Sequence, residues 1–140
     1  MAKYQHILLA IDVQPESQGI ALRALELAEG LGARISLLHV VQSPFFIAND
    51  SRPEYSNISI AKQHLQKLGR TLVIPLFDQH IALGDPQKKI TEIAGQLSVD
   101  LLLLDQGREH ASNIIQTAAC DVMVMSDGEA VTLGSPCAIL

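Results

Sequence analysis

The feature that most constrains this chain is a succession of short, uninterrupted apolar runs, among them Ile7 to Ile11, Leu101 to Leu104 and Val122 to Met125. Successive strand side chains point to opposite faces, so a strand apolar at every position has no face left for water and must lie inside a sheet covered on both sides. Each run is far short of the ~20 residues that a helix needs to cross a bilayer. Ile35, Leu37, Leu38, Val40 and Val41 are predicted to form a second buried strand, and Phe77 to Leu83, less uniformly apolar, a third. The stretches between them change period. Ile20, Ala24, Leu27, Ala28 and Leu31 recur at helical spacing, as do Ile58, Ala61, Leu65, Leu68 and Leu72, and then Ile90, Ile93, Ala94 and Leu97.

The punctuation agrees with that alternation. Pro15 and Glu16 suit a first helical turn and Gly32 supplies a stop. The polar, Pro-containing stretch from Gln42 to Ser56 is predicted to be a long loop, with Asn57 capping the helix that follows. Gly69 inside that helix costs about 1 kcal/mol relative to Ala, too little to interrupt it. In Gly84-Asp85-Pro86 the aspartate is predicted to cap and the proline to start a helix. A short helix is expected around Ala111 to Ala119. Five apolar strands alternating with helices predict right-handed βαβ units, hence an open α/β domain with a parallel sheet and helices on both faces. The domain is expected over 1–126, with 127–140 a tail lacking periodicity.

Composition narrows the function. With 48% apolar and 18% charged residues in 140, the chain can build a core. A net charge of −5 leaves no basic stripe for a phosphate backbone, so nucleic acid is excluded as a main partner. The N-terminus lacks the long apolar region of a signal peptide, and Cys120 and Cys137 have no metal-ligand spacing, so a cytoplasmic protein with free thiols is expected.

The landmarks His6-Ile7-Leu8-Leu9-Ala10-Ile11-Asp12, Leu37-Leu38-His39-Val40-Val41, Leu83-Gly84-Asp85-Pro86 and Val99-Asp100-Leu101-Leu102-Leu103-Leu104 occur in an order and spacing that resembles the universal stress protein family, above all its small single-domain bacterial members. The resemblance covers residues 3 to about 126. It implies a Rossmann-like five-stranded sheet of order 3-2-1-4-5, a dimer joined through the fifth strands, and one of two subclasses, of which one binds nucleotide.

In an open parallel sheet the ligand crevice lies beyond the carboxyl ends of the strands where their order reverses, here between the first and fourth. Asp12 and Asp105 end those strands. Nucleotide-binding relatives carry Gly-x2-Gly, nine residues, then Gly-Ser or Gly-Thr after the fourth strand, so that backbone amides cradle phosphates. Aligned on Leu101 to Leu104, this chain has Asp105 and Arg108 at the first two glycines, and about ten residues of the loop are missing, with them most of the amides that such a cradle needs. Only Gly107 remains, and Glu109 offsets Arg108. The resemblance therefore implies a non-ATP-binding member with a vestigial crevice at Asp12, Val40, Gly84, Asp105 and Arg108. Residual adenine nucleotide binding, as a switch or weak ATPase reaching phosphate with Arg108, is the alternative, because Asp12, Val40 and Gly84 stand where relatives contact ribose and base.

Other constellations read more plainly. Asp12 and Asp105 could face each other around Mg²⁺, but strand-end turns account for both. None of His6, His39, His64, His80 and His110 is four residues from another; His39 reads as a hydrogen-bonded core residue and His64 as solvent-facing. No Gly-x-Ser-x-Gly marks a nucleophile, so no enzyme activity is expected. Cys137-Ala138-Ile139-Leu140 fits a prenylation signal without a polybasic partner, giving a lower-ranked lipid-anchored reading. Val122, Met123, Val124 and Met125 would form an unprotected edge, which predicts a homodimer through paired fifth strands. The function expected is that of a non-catalytic stress-response protein acting through protein partners.

Overall fold

The computed structural model describes residues 4–11, 17–41, 53–105, 114, 116–126 and 129–132. The apolar runs become the strands β1 (His6–Ala10), β2 (Arg34–Val41), β3 (Gln79–Leu83), β4 (Leu101–Asp105) and β5 (Asp121–Ser126), followed by β6 (Glu129–Thr132). The helical patterns become α1 (Ser17–Leu31), α2 (Pro53–Leu72) and α3 (Pro86–Gln96). The sheet order is β3-β2-β1-β4-β5-β6, so the five parallel strands stand in the order 3-2-1-4-5. Central β1 explains the unbroken apolar run: Leu9 pairs with Leu37 on one side and Leu103 on the other, and Ile7, Leu8 and Leu9 are wholly buried.

Strand alternation sorts the core into two layers. Ile7, Leu9, Leu37, Leu103, Met123 and Met125 pack with Ala24 and Ala28 of α1 and Leu65 and Leu72 of α2. Leu8, Ala10, Leu38, Leu104, Val122 and Val124 pack with Ile90 and Ala94 of α3 and with Ile114. Gly32 ends α1 at φ 67°, the left-handed conformation glycine adopts without a Cβ penalty, and Ala33 N donates to the Ala28 carbonyl across the turn.

Several local expectations are corrected. Helix α2 starts at Pro53, so Asn57 lies inside it rather than capping it; proline at the first helical position is the competing start signal. Phe77 is not in a strand. Pro75 opens a 3-10 turn over Leu76–Asp78, closed by Asp78 N to the Pro75 carbonyl at 2.9 Å, and β3 begins only at Gln79. Asp85 occupies the N-cap of α3 without a side-chain capping bond, while Pro86 starts the helix as expected.

The largest difference concerns the tail. Residues Glu129–Thr132 pair antiparallel with β5 in the register Ser126↔Glu129 and Val124↔Val131. The two residues between the strands are Asp127-Gly128, a pair that favours a two-residue hairpin turn. The edge of β5 is therefore covered by the chain itself, and Val122, Met123, Val124 and Met125 are all at most 5% exposed in its own core. Their expected role as exposed joint residues gives way to a role in the core.

Candidate functional site

The strand order reverses between β1 and β4, the place where an open parallel sheet puts its ligand crevice, at the carboxyl rim. The register Ala10↔Leu104 brings the two strand ends level, with Asp105 one residue further along β4. Ile11 N donates to the Leu38 carbonyl at 2.9 Å, which carries β1 one step further along β2. Val40 lies two residues beyond the last β1 partner, and its side chain belongs to the core layer under α3, leaving main chain as what it can offer a ligand.

Gly84 closes the same rim on the β3 side. Its N donates to the Val41 carbonyl at 2.9 Å, and its φ of 145° favours glycine. A Cβ there would stand 3.1 Å from Cε of Lys89, whose Nζ pairs with Glu92 Oε1 at 3.2 Å. Of the five residues expected in the crevice, the structure thus brings Val40, Gly84 and the backbone of Asp105 to one rim. Asp12 and Arg108 lie outside the described residues, as does Cys137.

His39 adds a feature that strand periodicity alone did not assign to this rim. Its half-buried ring donates from Nδ1 to the Ile11 carbonyl at 3.1 Å, which fixes the tautomer and steadies the end of β1. A histidine two residues before the end of an apolar strand was the signal. His64 is exposed on α2, as expected.

The opposite rim, at the strands' amino ends, holds the polar chemistry. Arg34 donates from Nε and Nη2 to Asp78 Oδ1 at 2.9 and 2.6 Å, and Ser36 Oγ lies 3.0 Å from the same oxygen and 2.8 Å from His6 Nε2. Asp100 Oδ2 accepts from the backbone N of Gln5 and His6, and the Tyr4 hydroxyl donates to buried Asp121 at 2.7 Å. Burial lowers the pKa of His6, with Arg34 acting in the same sense and Asp78 opposing. Burial likewise lowers that of His80 against the pull of Asp78. The order Asp78, Ser36, His6 puts the serine between acid and base, and Ser36 is fully buried, so this cluster ties strands together and is no catalytic triad. Cys120 is no nucleophile either, since burial, with Asp121 and Asp100, pushes its thiol up to about 11.

Comparison with known proteins agrees with this architecture. The universal stress protein A homolog 1 of Coxiella burnetii is 31% identical over 138 residues, covering 87% of this chain and 96% of that protein. The solved structure of hypothetical protein MJ0577 superposes with a TM-score of 0.72 at 21% identity, over 89% of this chain and 96% of that one. A universal stress protein in complex with cAMP superposes with a TM-score of 0.63 at 16% identity, over 89% and 98% of the two chains. The model of the universal stress protein family matches residues 3–126, and with the crevice, the strand order and these relatives in agreement, the chain belongs to that family.

Proposed function

We propose that this chain is a non-catalytic cytoplasmic stress-response protein that acts as a homodimer through protein contacts and does not hold ATP. The observation that carries the reading is the connection after β4. Fifteen residues separate Asp105 from Asp121, and they contain one glycine, Gly107, in place of the glycine-rich cradle. Asp105 brings a negative charge to the position of the first glycine, and like charges ~4 Å apart oppose each other by about 4 kcal/mol at an effective dielectric of 20. The absence of a nucleophile-elbow motif supports the non-catalytic part.

A second reading has its own support. Val40 and Gly84 keep the rim that would meet an adenosine moiety, and one structural neighbour is described in complex with cAMP. On that reading the protein is a nucleotide switch that takes AMP or a nucleoside. Native mass spectrometry with adenosine, AMP and Mg-ATP separates the two: no adduct with any of them supports the first reading, and an adenosine or AMP adduct the second. A Mg-ATP adduct lost in Arg108→Ala overturns the ATP-free reading.

The dimer reading moves with the structure. Since β6 covers β5, the edge open to antiparallel pairing with a second copy about a two-fold axis is that of β6. Sedimentation at micromolar concentration is expected to give twice the chain mass; a 15.1 kDa particle overturns the homodimer.

A further inference from the structure

With β6 on one side of the sheet, β3 is the edge on the other, and among the described residues nothing pairs with its outer side. Gly84 N turns inward to β2, so by the alternation of strand amides the N–H groups of Ile81 and Leu83 turn outward. The strand Gln79-His80-Ile81-Ala82-Leu83 has none of the lysines, acids or prolines that usually blunt such an edge.

Beside this edge runs a groove of about 340 Å³ lined by Lys62, Leu65, Gln66, Leu76, Gln79 and Ile81. Leu65, Leu76 and Ile81 give it apolar walls beside Lys62, Gln66 and Gln79, and nothing among the described residues donates to the buried Oε1 of Gln79, while Nε2 of the same amide donates to the Ile74 carbonyl. Val73, Leu76 and Phe77 are 87, 66 and 70% exposed at the groove's end of the chain. Val73 is held there in left-handed backbone at φ 59°, a strained conformation for a β-branched residue that contributes no core packing in return.

Charge selects the occupant. Residues 59–83 carry Lys62, Lys67 and Arg70 against one carboxylate, Asp78, which is buried and bonded to Arg34, in a chain of net charge −5. Lys62, Gln66 and Arg70 follow at i, i+4 spacing along the flank of α2. A second copy joined here about a two-fold axis would oppose one such row to another. We propose that the β3 edge and its groove bind an extended segment of a partner protein, added as a strand outside β3, whose alternate side chains toward α2 are apolar with a carboxylate among them, the apolar ones over Leu65, Leu76 and Ile81 and the carboxylate toward Lys62 on the same face. The proposal rests on the reading that this protein works through protein contacts and names the surface and the chemistry of the contact.

The probe is a fluorescein-labelled peptide of sequence Val-Thr-Glu-Thr-Val-Thr, which puts valine, glutamate and valine on one face, titrated into the full chain with Val-Thr-Lys-Thr-Val-Thr as control. The acidic peptide is expected to bind at least about tenfold tighter than the basic one, to slow amide exchange at Ile81 and Leu83, and to weaken by a similar factor in Lys62→Glu and in Leu76→Ser. Both substituted residues are exposed, so the variants are expected to keep the wild-type circular dichroism and melting temperature. Equal affinity for both peptides, shifts confined to other residues, or Ile81 and Leu83 amides already protected in the free monomer would each overturn the proposal, the last because residues of the chain itself would hold the edge. So would protection of those amides that appears only on dimerisation, which would assign the edge to a second copy. Saturable Mg-ATP binding to the same sample would instead remove the reading beneath it, whatever the peptide does.

Discussion

Val73 and Gly69 show how single residues at the end of α2 are set by backbone geometry. Val73 N bonds the Arg70 carbonyl and Ile74 N the Gly69 carbonyl at 2.7 Å, an ending that normally uses glycine at the left-handed position. Val73→Gly is expected to stabilise the fold by about 1 kcal/mol, the relieved strain exceeding the added entropy of the unfolded chain, as a urea midpoint would register. Gly69 was legible in the sequence only as a cost within a helix. Its reason is tertiary: a Cβ there would overlap the Gln79 carboxamide that caps Ile74. Gly69→Ala alone therefore combines a helix-propensity gain of about 1 kcal/mol with displacement of that amide, and should come out near neutral. In a Gln79→Ala background the same change is expected to stabilise by about 1 kcal/mol, a coupling that a double-mutant cycle reads directly. Additivity would contradict the packing account.

At the scale of elements, the strands were legible because burial on both faces writes itself as unbroken apolar sequence, whereas β6 was not, since Glu129-Ala130-Val131-Thr132 has no such run. Asp127-Gly128 was the available sign, and it is local turn chemistry rather than periodicity. Core membership of β5 changes the outcome of substituting it: Met123→Lys places an amine where the side chain is 3% exposed and is expected to cost several kcal/mol of stability, instead of leaving a folded monomer. The amino rim couples three strands to protonation. The Ser36 hydroxyl donates its one hydrogen to Asp78 Oδ1, so a protonated His6 donates from Nε2 to the same hydroxyl. Because His6 and His80 titrate below their ordinary value of 6.5 when folded, the unfolded chain takes up protons first. Their contribution to stability is complete above pH 6.5 and is lost as pH falls toward the folded values. A lower urea midpoint at pH 5.5 than at pH 7.5 is expected, with a shallower difference in His6→Asn/His80→Asn.

The whole molecule is a family fold whose two rims do different work. Carboxylates and histidines at the amino rim hold strands together, while Val40, Gly84 and the backbone of Asp105 stand at the carboxyl rim. The existence of a parallel sheet followed from apolar runs and helical spacing, but its strand order came from resemblance, because hydrophobic patterning carries no information about which strand lies beside which. The placement of Gly84 and Asp105 at strand ends was legible in the sequence, from the turn residues that follow apolar runs. That strand order also puts β3 at an edge, but where the strand begins was not legible, because Phe77 leaves it for the turn that Pro75 opens. That the chain works without ATP is most directly tested by calorimetric titration with Mg-ATP at tens of micromolar protein. The account predicts no heat beyond dilution, and a saturable exothermic isotherm would contradict it.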